Sequence, residues 1–343
     1  MPITGQTWPL GLAIAVFVLA AVVTMVCTVR LVGLGDALAD RTGWGEALFG
    51  AVFFGAATSL SGIAMTAVSA ADGQAQLAYS NAVGGIAAQT VAIVAADVAY
   101  RRANLEHAAA SAQNLLFGWL LIVLLSVALL ASFSPEVTVL GVHPASVIMV
   151  AGYAGGLKII HGRPEMWRAV TTREIRPDRP SDHGALGRRR VWLVWAEFAA
   201  VALLVVASGW AVAEAAQDLV VLTGLSAGVV GAIFMGVVNA LPESITAVAA
   251  VRRGAMTLAI AAVIGGNSLD ALNLVVGDIA FRGGSLFHAA QPDQLFLTTA
   301  ALLMTAVLLG GMLVRQRREW ARVGFEGVLL LVIYVSTVVI LAF

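Results

Sequence analysis

Ten long apolar stretches, each set off by charged or turn residues, divide the chain at approximately 10 to 30, 45 to 71, 77 to 99, 114 to 132, 139 to 160, 191 to 212, 219 to 251, 257 to 281, 294 to 314 and 323 to 342. A hydrocarbon layer about 30 Å thick needs roughly 20 apolar residues per helix. No water is available inside that layer, so every backbone N–H and C=O must be bonded within the chain, and stretches of this length manage that as α-helices. The pattern predicts an all-α integral membrane protein with ten transmembrane helices.

The polar positions between the stretches are unevenly charged. Arg30 and Arg41 follow the first stretch, Arg101 and Arg102 the third, Lys158 through Arg190 the fifth, Arg252 and Arg253 the seventh, and Arg315 through Arg322 the ninth. The opposite side, with both termini, carries only Arg282. Positive loops stay in the cytoplasm, so both ends are expected outside. Trp8, Trp44, Trp192, Trp195, Trp210 and Trp320 fall near the ends of stretches, as interfacial aromatics do. His161 to Arg190 is rich in Arg and Pro and is too short for a folded domain. It reads as a cytoplasmic connector at 161–190 between five-helix halves at 1–160 and 191–343, with lipid headgroups as an additional contact for its arginines.

Shifted by 181 residues without a gap, Gly50 to Arg101 aligns with Gly231 to Arg282. Fourteen of 52 positions are identical, where composition alone gives roughly five. Gly50 meets Gly231, Gly55 meets Gly236, the doublet Gly84-Gly85 meets Gly265-Gly266, and Asp97 through Arg101 meets Asp278 through Arg282. Five stretches separate the copies, an odd number, so the repeats are expected to be inverted. Inverted repeats place a binding site near the midplane, where interrupted helices expose carbonyls to an ion, and this architecture implies a secondary transporter.

Composition narrows the classes further. Of 343 residues, 60% are hydrophobic and 12% charged, too apolar for a cytosolic enzyme or a DNA-binding domain. The formal net charge is zero, so no field recruits nucleic acid. The single cysteine, Cys27, lies in an apolar stretch and is expected to pack as a small hydrophobe. Met1 to Pro9 lacks the basic residues of a secretory signal, so the first stretch is expected to remain as an anchor in the plasma membrane.

Carboxylates inside a membrane are costly, by about 2.5 to 3.5 kcal/mol on insertion scales, and mark ion pathways. Glu243 and Asp270 both lie near the middle of their stretches. Two facing carboxylates repel, and a bound cation relieves the repulsion; they are the metal-ligating candidates. Pro242 removes one amide donor and frees the carbonyl of Val238, a further oxygen for an ion. Asn239, Thr246, Asn267 and Ser268 add neutral oxygens, or bridge helices by hydrogen bonding. In the first copy Thr58, Ser59, Asn81 and Gln89 are the polar counterparts, and Gly62 stands where Glu243 stands in the second.

Other polar residues have simpler expected roles. Asp97 and Asp278 each precede an arginine by four residues, which predicts helix-end ion pairs with Arg101 and Arg282. Glu197 and His143 are weaker candidates for proton handling, with interfacial or helix contacts expected instead. Gly224-Leu-Ser-Ala-Gly228 matches G-x-S-x-G but opens an apolar helix rather than a strand-to-helix elbow, so a serine hydrolase is not expected. No phosphate-binding glycine loop and no zinc-spaced histidine pair occurs, which argues against use of ATP.

Asn239-Ala-Leu-Pro-Glu243-Ser-Ile-Thr246 with Gly265-Gly-Asn267-Ser-Leu-Asp270 resembles the second signature repeat of the cation/calcium exchanger superfamily. Ala57-Thr-Ser-Leu60 with Ser80-Asn81-Ala-Val-Gly84 resembles its first. The resemblance implies a sodium/calcium exchanger-like antiporter working by alternating access, with inorganic cations and membrane lipids as its partners and no enzymatic activity or cofactor. Glu243 matches the second-repeat glutamate, Asp270 the acidic or amide position, Thr58 and Ser59 the first-motif threonine and serine, and Gln89 the counterpart of Asp270. Ser61-Gly62 replaces Pro-Glu, and Gly85 and Gly266 replace serines, which implies fewer or less charged ions. Sodium exchanged for protons is the transport alternative; a transport-inactive paralogue acting as scaffold or regulator is the other.

Overall fold

The computed structural model describes residues 7–42, 55–99, 111–161, 190–253, 256–314 and 324–343. The helices are α1 (Leu10–Thr42), α2 (Gly55–Ala71), α3 (Ala75–Ala99), α4 (Ala112–Ser132), α5 (Pro144–His161) and α6 (Val191–Thr223). A single turn, Ala227–Val229, and a π-helical stretch, Val230–Met235, then lead into α7 (Gly236–Arg253). α8 (Met256–Asp270), α9 (Asn273–Ala280), α10 (Pro292–Val314) and α11 (Phe325–Ala342) complete the chain. Eight helices among the described residues are long and apolar enough to cross a membrane, with two shorter apolar ones at Thr58–Ala71 and Pro144–Ile160. No strand occurs among these residues, only a bridge between Val139 and Val142.

Several boundaries differ from the sequence reading for local reasons. The sixth helix continues to Thr223, where Gly224 at φ 72° closes it and donates to the Val220 carbonyl. Residues 219–223 therefore end the sixth helix instead of opening the seventh, and Trp210 sits within α6 and not near its end. The Ser226 hydroxyl accepts from Val229 N–H to start the next turn, as N-cap residues do. Residues 139–143 form a turn instead of helix; Leu140 and Gly141 have positive φ, and Pro144 takes the first helical position, where its missing N–H costs nothing. The first helix runs on to Thr42. Most of the connector at 161–190, the start of the second stretch, and Trp44, Trp320, Arg101 and Arg315 to Arg322 lie outside the described residues.

The 181-residue offset recurs in the helices themselves. α1 begins at Leu10 and α6 at Val191, and both are 33 residues long. α2 and α7 begin at Gly55 and Gly236, α3 and α8 at Ala75 and Met256, and α5 and α11 at Pro144 and Phe325. One difference interrupts the register. α3 is continuous through Gln89 and Thr90, whereas its counterpart breaks after Asp270, and Leu272 N–H bonds the Leu269 carbonyl three residues back before α9 begins.

Burial divides the helices into an inner and an outer set. Of the apolar windows, 78% of that in α3 is buried and 67% of those spanning α7 and α8–α9, against 33% in α1, 17% in α6 and 22% in α11. Leu19, Val26, Trp192, Leu203 and Val332 point outward, the arrangement expected when the surrounding solvent is lipid. α1 lies along α6, and α3 lies along α7. The second pairing needs glycine: a Cβ on Gly236 would stand 2.7 Å from the Gly84 carbonyl carbon, so the two backbones meet directly, as small residues permit between membrane helices.

Candidate functional site

The inner helices carry the polar residues. Glu243 is 3% exposed and Asp270, Ser59, Gln89 and Asn239 are fully buried, with Thr58 at 2%. Pro242 lies inside α7 one residue before Glu243, so the Val238 carbonyl has no amide to bond one turn on, while the Val238 side chain packs in an apolar cluster with Met235 and Met65. Asp270 ends α8 at the helix break.

These residues meet across the two repeats. Gln89 Nε2 donates to Asp270 Oδ2 at 2.7 Å. Thr58 stands beside the Glu243 carboxylate and Ser59 beside that of Asp270, and a Cβ built on Gly266 would lie 3.8 Å from Gln89 Oε1 and 3.9 Å from Glu243 Cγ, which brings Glu243 next to the residue bonded to Asp270. Asn273, the first residue of α9, donates to Asp270 Oδ1 at 3.4 Å; the sequence reading does not single it out, although its spacing from Asp270 is the available signal. Gln89 and Asp270 are equivalents under the 181-residue offset, as are Thr58 and Asn239. The Gln89–Asp270 bond therefore joins matching positions of the two repeats.

Many oxygens in this cluster have no donor. Gln89 Oε1, Ser61 Oγ, Asn239 Oδ1, Asn81 Oδ1 and Asn267 Oδ1 are buried without a hydrogen-bond partner, and the Glu243 carboxylate has only the Thr58 hydroxyl beside it. Such atoms are destabilising, by roughly 1 to 3 kcal/mol each, unless something meets them. Their chemistry suits a hard cation, which takes oxygen from carboxylates, amides and carbonyls. Among the described residues no group of three or more His, Cys, Asp and Glu side chains is placed to hold a metal. A cavity of about 550 Å³ beside α7 is lined by Ser244, Ile245, Val248, Ala249 and Arg252 and includes neither carboxylate.

Other expected ligands have different partners. Thr246 donates to the Pro242 carbonyl, and Ser268 to the carbonyls of Ile264 and Phe117. Asn267 Nδ2 bonds Thr90 Oγ1, and Asn81 Nδ2 bonds Thr66 Oγ1, both at 2.9 Å.

The expected pair between Asp278 and Arg282 does not form. Asp278 is fully buried and accepts from His143 N–H at 2.8 Å, Ser146 Oγ at 2.7 Å and Leu286 N–H at 3.0 Å, while Arg282 is exposed beyond the end of α9. The helix ends at Ala280, so the four-residue spacing no longer places the two side chains on one face. Asp97 is buried, with Gly324 N–H 3.4 Å from its Oδ2; Arg101 is outside the described residues. Glu197 forms an ion pair with Arg30, joining α6 to α1. His143 Nδ1 accepts from Ala145 N–H at the start of α5, and its Nε2 lies 3.2 Å from Ser134 Oγ.

The architecture is that of a polytopic membrane transporter with its buried polar cluster where two matching halves meet. The profile of the Sodium/calcium exchanger protein family matches residues 12–160 and 192–343, and the chain belongs to that family. Its fold is similar to that of the H+/Ca2+ exchanger CAX, with a TM-score of 0.70 at 13% identity over 96% of this chain and 85% of that one. It is similar also to YfkE, with a TM-score of 0.63 at 17% identity over 98% of this chain and 93% of that one. The sodium-calcium exchanger NCX_Mj gives 0.57 at 16% identity, covering 96% and 99%. No curated protein matches the sequence.

Proposed function

We propose that this chain is a secondary active cation antiporter that carries one calcium ion at a time between Glu243 and Asp270 in exchange for monovalent cations. The observation behind this reading is the Glu243 carboxylate, buried in the same polar cluster as Asp270 with only the Thr58 hydroxyl beside it and no cationic side chain paired to it among the described residues. Two negative charges are balanced by one divalent ion or by two monovalent ones, which gives an exchange without net charge left on the site. Thr58, Ser59, Asn239, Gln89 and the Val238 carbonyl serve as neutral ligands, and no resident cofactor is needed. Membership of the exchanger family supports antiport as the class.

Sodium is the counter-ion in this reading. Protons are the second reading, favoured by the shortage of charge: Gly62 leaves the first repeat without a carboxylate at the position equivalent to Glu243, and two carboxyl groups take two protons without further ligands. Ten spans in two inverted halves, both termini outside the plasma membrane and 161–190 in the cytoplasm complete the proposal, on the distribution of Arg and Lys.

Vesicles containing the purified chain test it. Calcium uptake that depends on an outward sodium gradient supports the leading reading; calcium or sodium flux that follows a pH step and ignores the other gradient supports protons. Absence of flux under every gradient overturns both and leaves a transport-inactive paralogue.

A further inference from the structure

The 181-residue offset relates two bonds between the halves as well as the helices. Asp278 Oδ2 accepts from His143 N–H at 2.8 Å, and Asp97 Oδ2 from Gly324 N–H at 3.4 Å. Asp278 is the equivalent of Asp97 and Gly324 that of His143, so each contact is the other with the halves exchanged. Both aspartates are buried. Each stands at the start of an 18-residue helix, Asp278 at α5 and Asp97 at α11, where the helix dipole favours a negative charge. The flanking sequence repeats too: Leu286-Phe-His288-Ala-Ala290 follows Asp278 at the distance at which Leu105-Glu-His107-Ala-Ala109 follows Asp97. Leu286 N–H closes its segment onto Asp278 Oδ1 at 3.0 Å; residues 105–109 lie outside the described ones.

The two clasps lie at opposite ends of the bundle. Gln76 Nε2 donates to the Ala289 carbonyl at 3.3 Å, which sets the Asp278 clasp, through Leu286, near the first turn of α3. Asp97 is in the same helix near its other end, about 30 Å from Gln76 at 1.5 Å per residue. The polar site falls between them. Gln89 precedes Asp97 by eight residues, and Asp270 precedes Asp278 by eight. Each clasp anchors the far end of the segment that carries one member of the 2.7 Å Gln89–Asp270 bond. A slip of either segment along its axis by about 1 Å would take that bond beyond hydrogen-bonding distance.

We propose that Asp97 and Asp278 are positioning residues for the cation site: by tying α3 to the start of α11 and α9 to the start of α5, they fix the depth at which Gln89 meets Asp270. This rests on the reading of Gln89 and Asp270 as ligands and adds the residues that hold them in register.

The test is a pair of double-mutant cycles on the full-length chain, one on calcium uptake by vesicles under an outward sodium gradient and one on thermal unfolding in detergent. Asp97→Asn and Asp278→Asn keep side-chain size and turn one acceptor into a donor. Each is expected to raise the calcium concentration for half-maximal uptake by at least about fivefold, with maximal flux less affected. Arg282→Ala, exposed and near Asp278 in sequence, is expected to leave it unchanged. On the residual uptake of Gln89→Leu the same aspartate substitutions are expected to add less than about twofold, because the bond they serve is already gone. Sites more than about 7 to 10 Å apart ordinarily act additively, and Asp97 is about 12 Å along α3 from Gln89, so a residue that only stabilises the fold would not show this coupling. The unfolding cycle is expected to be less than additive in the same way. If Asp278→Asn is not recovered folded, Ser146→Ala, which removes one of the three donors to Asp278, takes its place in both cycles, with a rise of about twofold that Gln89→Leu abolishes.

Additive effects in either cycle, or a half-maximal concentration unchanged in both aspartate variants, overturn the positioning role. A wild-type chain that takes up no calcium overturns the reading of the site instead, and the unfolding cycle then decides the positioning role by itself.

Discussion

Gln89 and Asp270 occupy the same position in the two repeats and are hydrogen-bonded to each other, amide to carboxylate, at 2.7 Å. The bond joins α3 of the first repeat to the end of α8 in the second. Replacing Gln89 by Leu removes a donor to a charged group, a loss of about 1.5 to 3 kcal/mol. Gln89→Leu is therefore expected to reduce cation flux in vesicles by at least about tenfold while the chain still elutes as a single species. Wild-type flux in this variant would show that the pair is structural only.

Glu243→Gln and Asp270→Asn each keep side-chain size and remove one charge. Both variants are expected to abolish transport and to leave folded protein in the membrane, since neither carboxylate forms an ion pair that holds helices together among the described residues. The check is flux beside detergent-resistant, monodisperse yield. Retained flux in both would place the ion elsewhere.

Asp278 and Arg282 behave as unrelated residues. Arg282→Ala is expected to leave the unfolding temperature unchanged. Asp278→Ala removes the acceptor of two backbone amides and a serine hydroxyl in a buried site, with an expected loss of at least about 2 kcal/mol. Equal effects of the two substitutions would restore the ion pair.

Gly236→Val tests the contact of α3 with α7. The added Cβ meets backbone atoms of Gly84 and Gly85, which cannot swing aside as a side chain does. Overpacking of this kind costs about 1 to 3 kcal/mol or more, and the measurable result is a lower unfolding temperature or loss of folded protein. Gly310→Ala, where a Cβ meets nothing within 4 Å, is the matched control and is expected to be neutral.

Much of this arrangement was legible from residue type alone. Glu243 and Asp270 stood out because carboxylates in apolar helices need a reason, and the register of 181 residues, read over 52 positions, recurs in the starts of four pairs of helices. What escaped the sequence depended on the third dimension or on where a helix stops. Asn239 carried no sign that it would fill the space over Gly62 and Gly85, because those residues lie 177 and 154 positions away along the chain. Asp278 and Arg282 had the right spacing for an ion pair only while the helix was assumed to continue past Ala280. The sequence places Thr223 in the following stretch because apolar residues run on both sides of Gly224, and it is the positive φ of that glycine, not a change of polarity, that ends α6.

The 33 residues of α1 and of α6 make each about 50 Å long at 1.5 Å per residue, against an oily layer of about 30 Å. The apolar part of α1 is Leu10–Gly35, 26 residues or about 39 Å, and that of α6 is Val191–Thr223. Tilt, thicker local lipid or ends that project into the headgroups accommodate the excess, at an energy that changes with acyl-chain length. The lipid that best matches this pair is therefore one whose oily layer is thicker than about 30 Å.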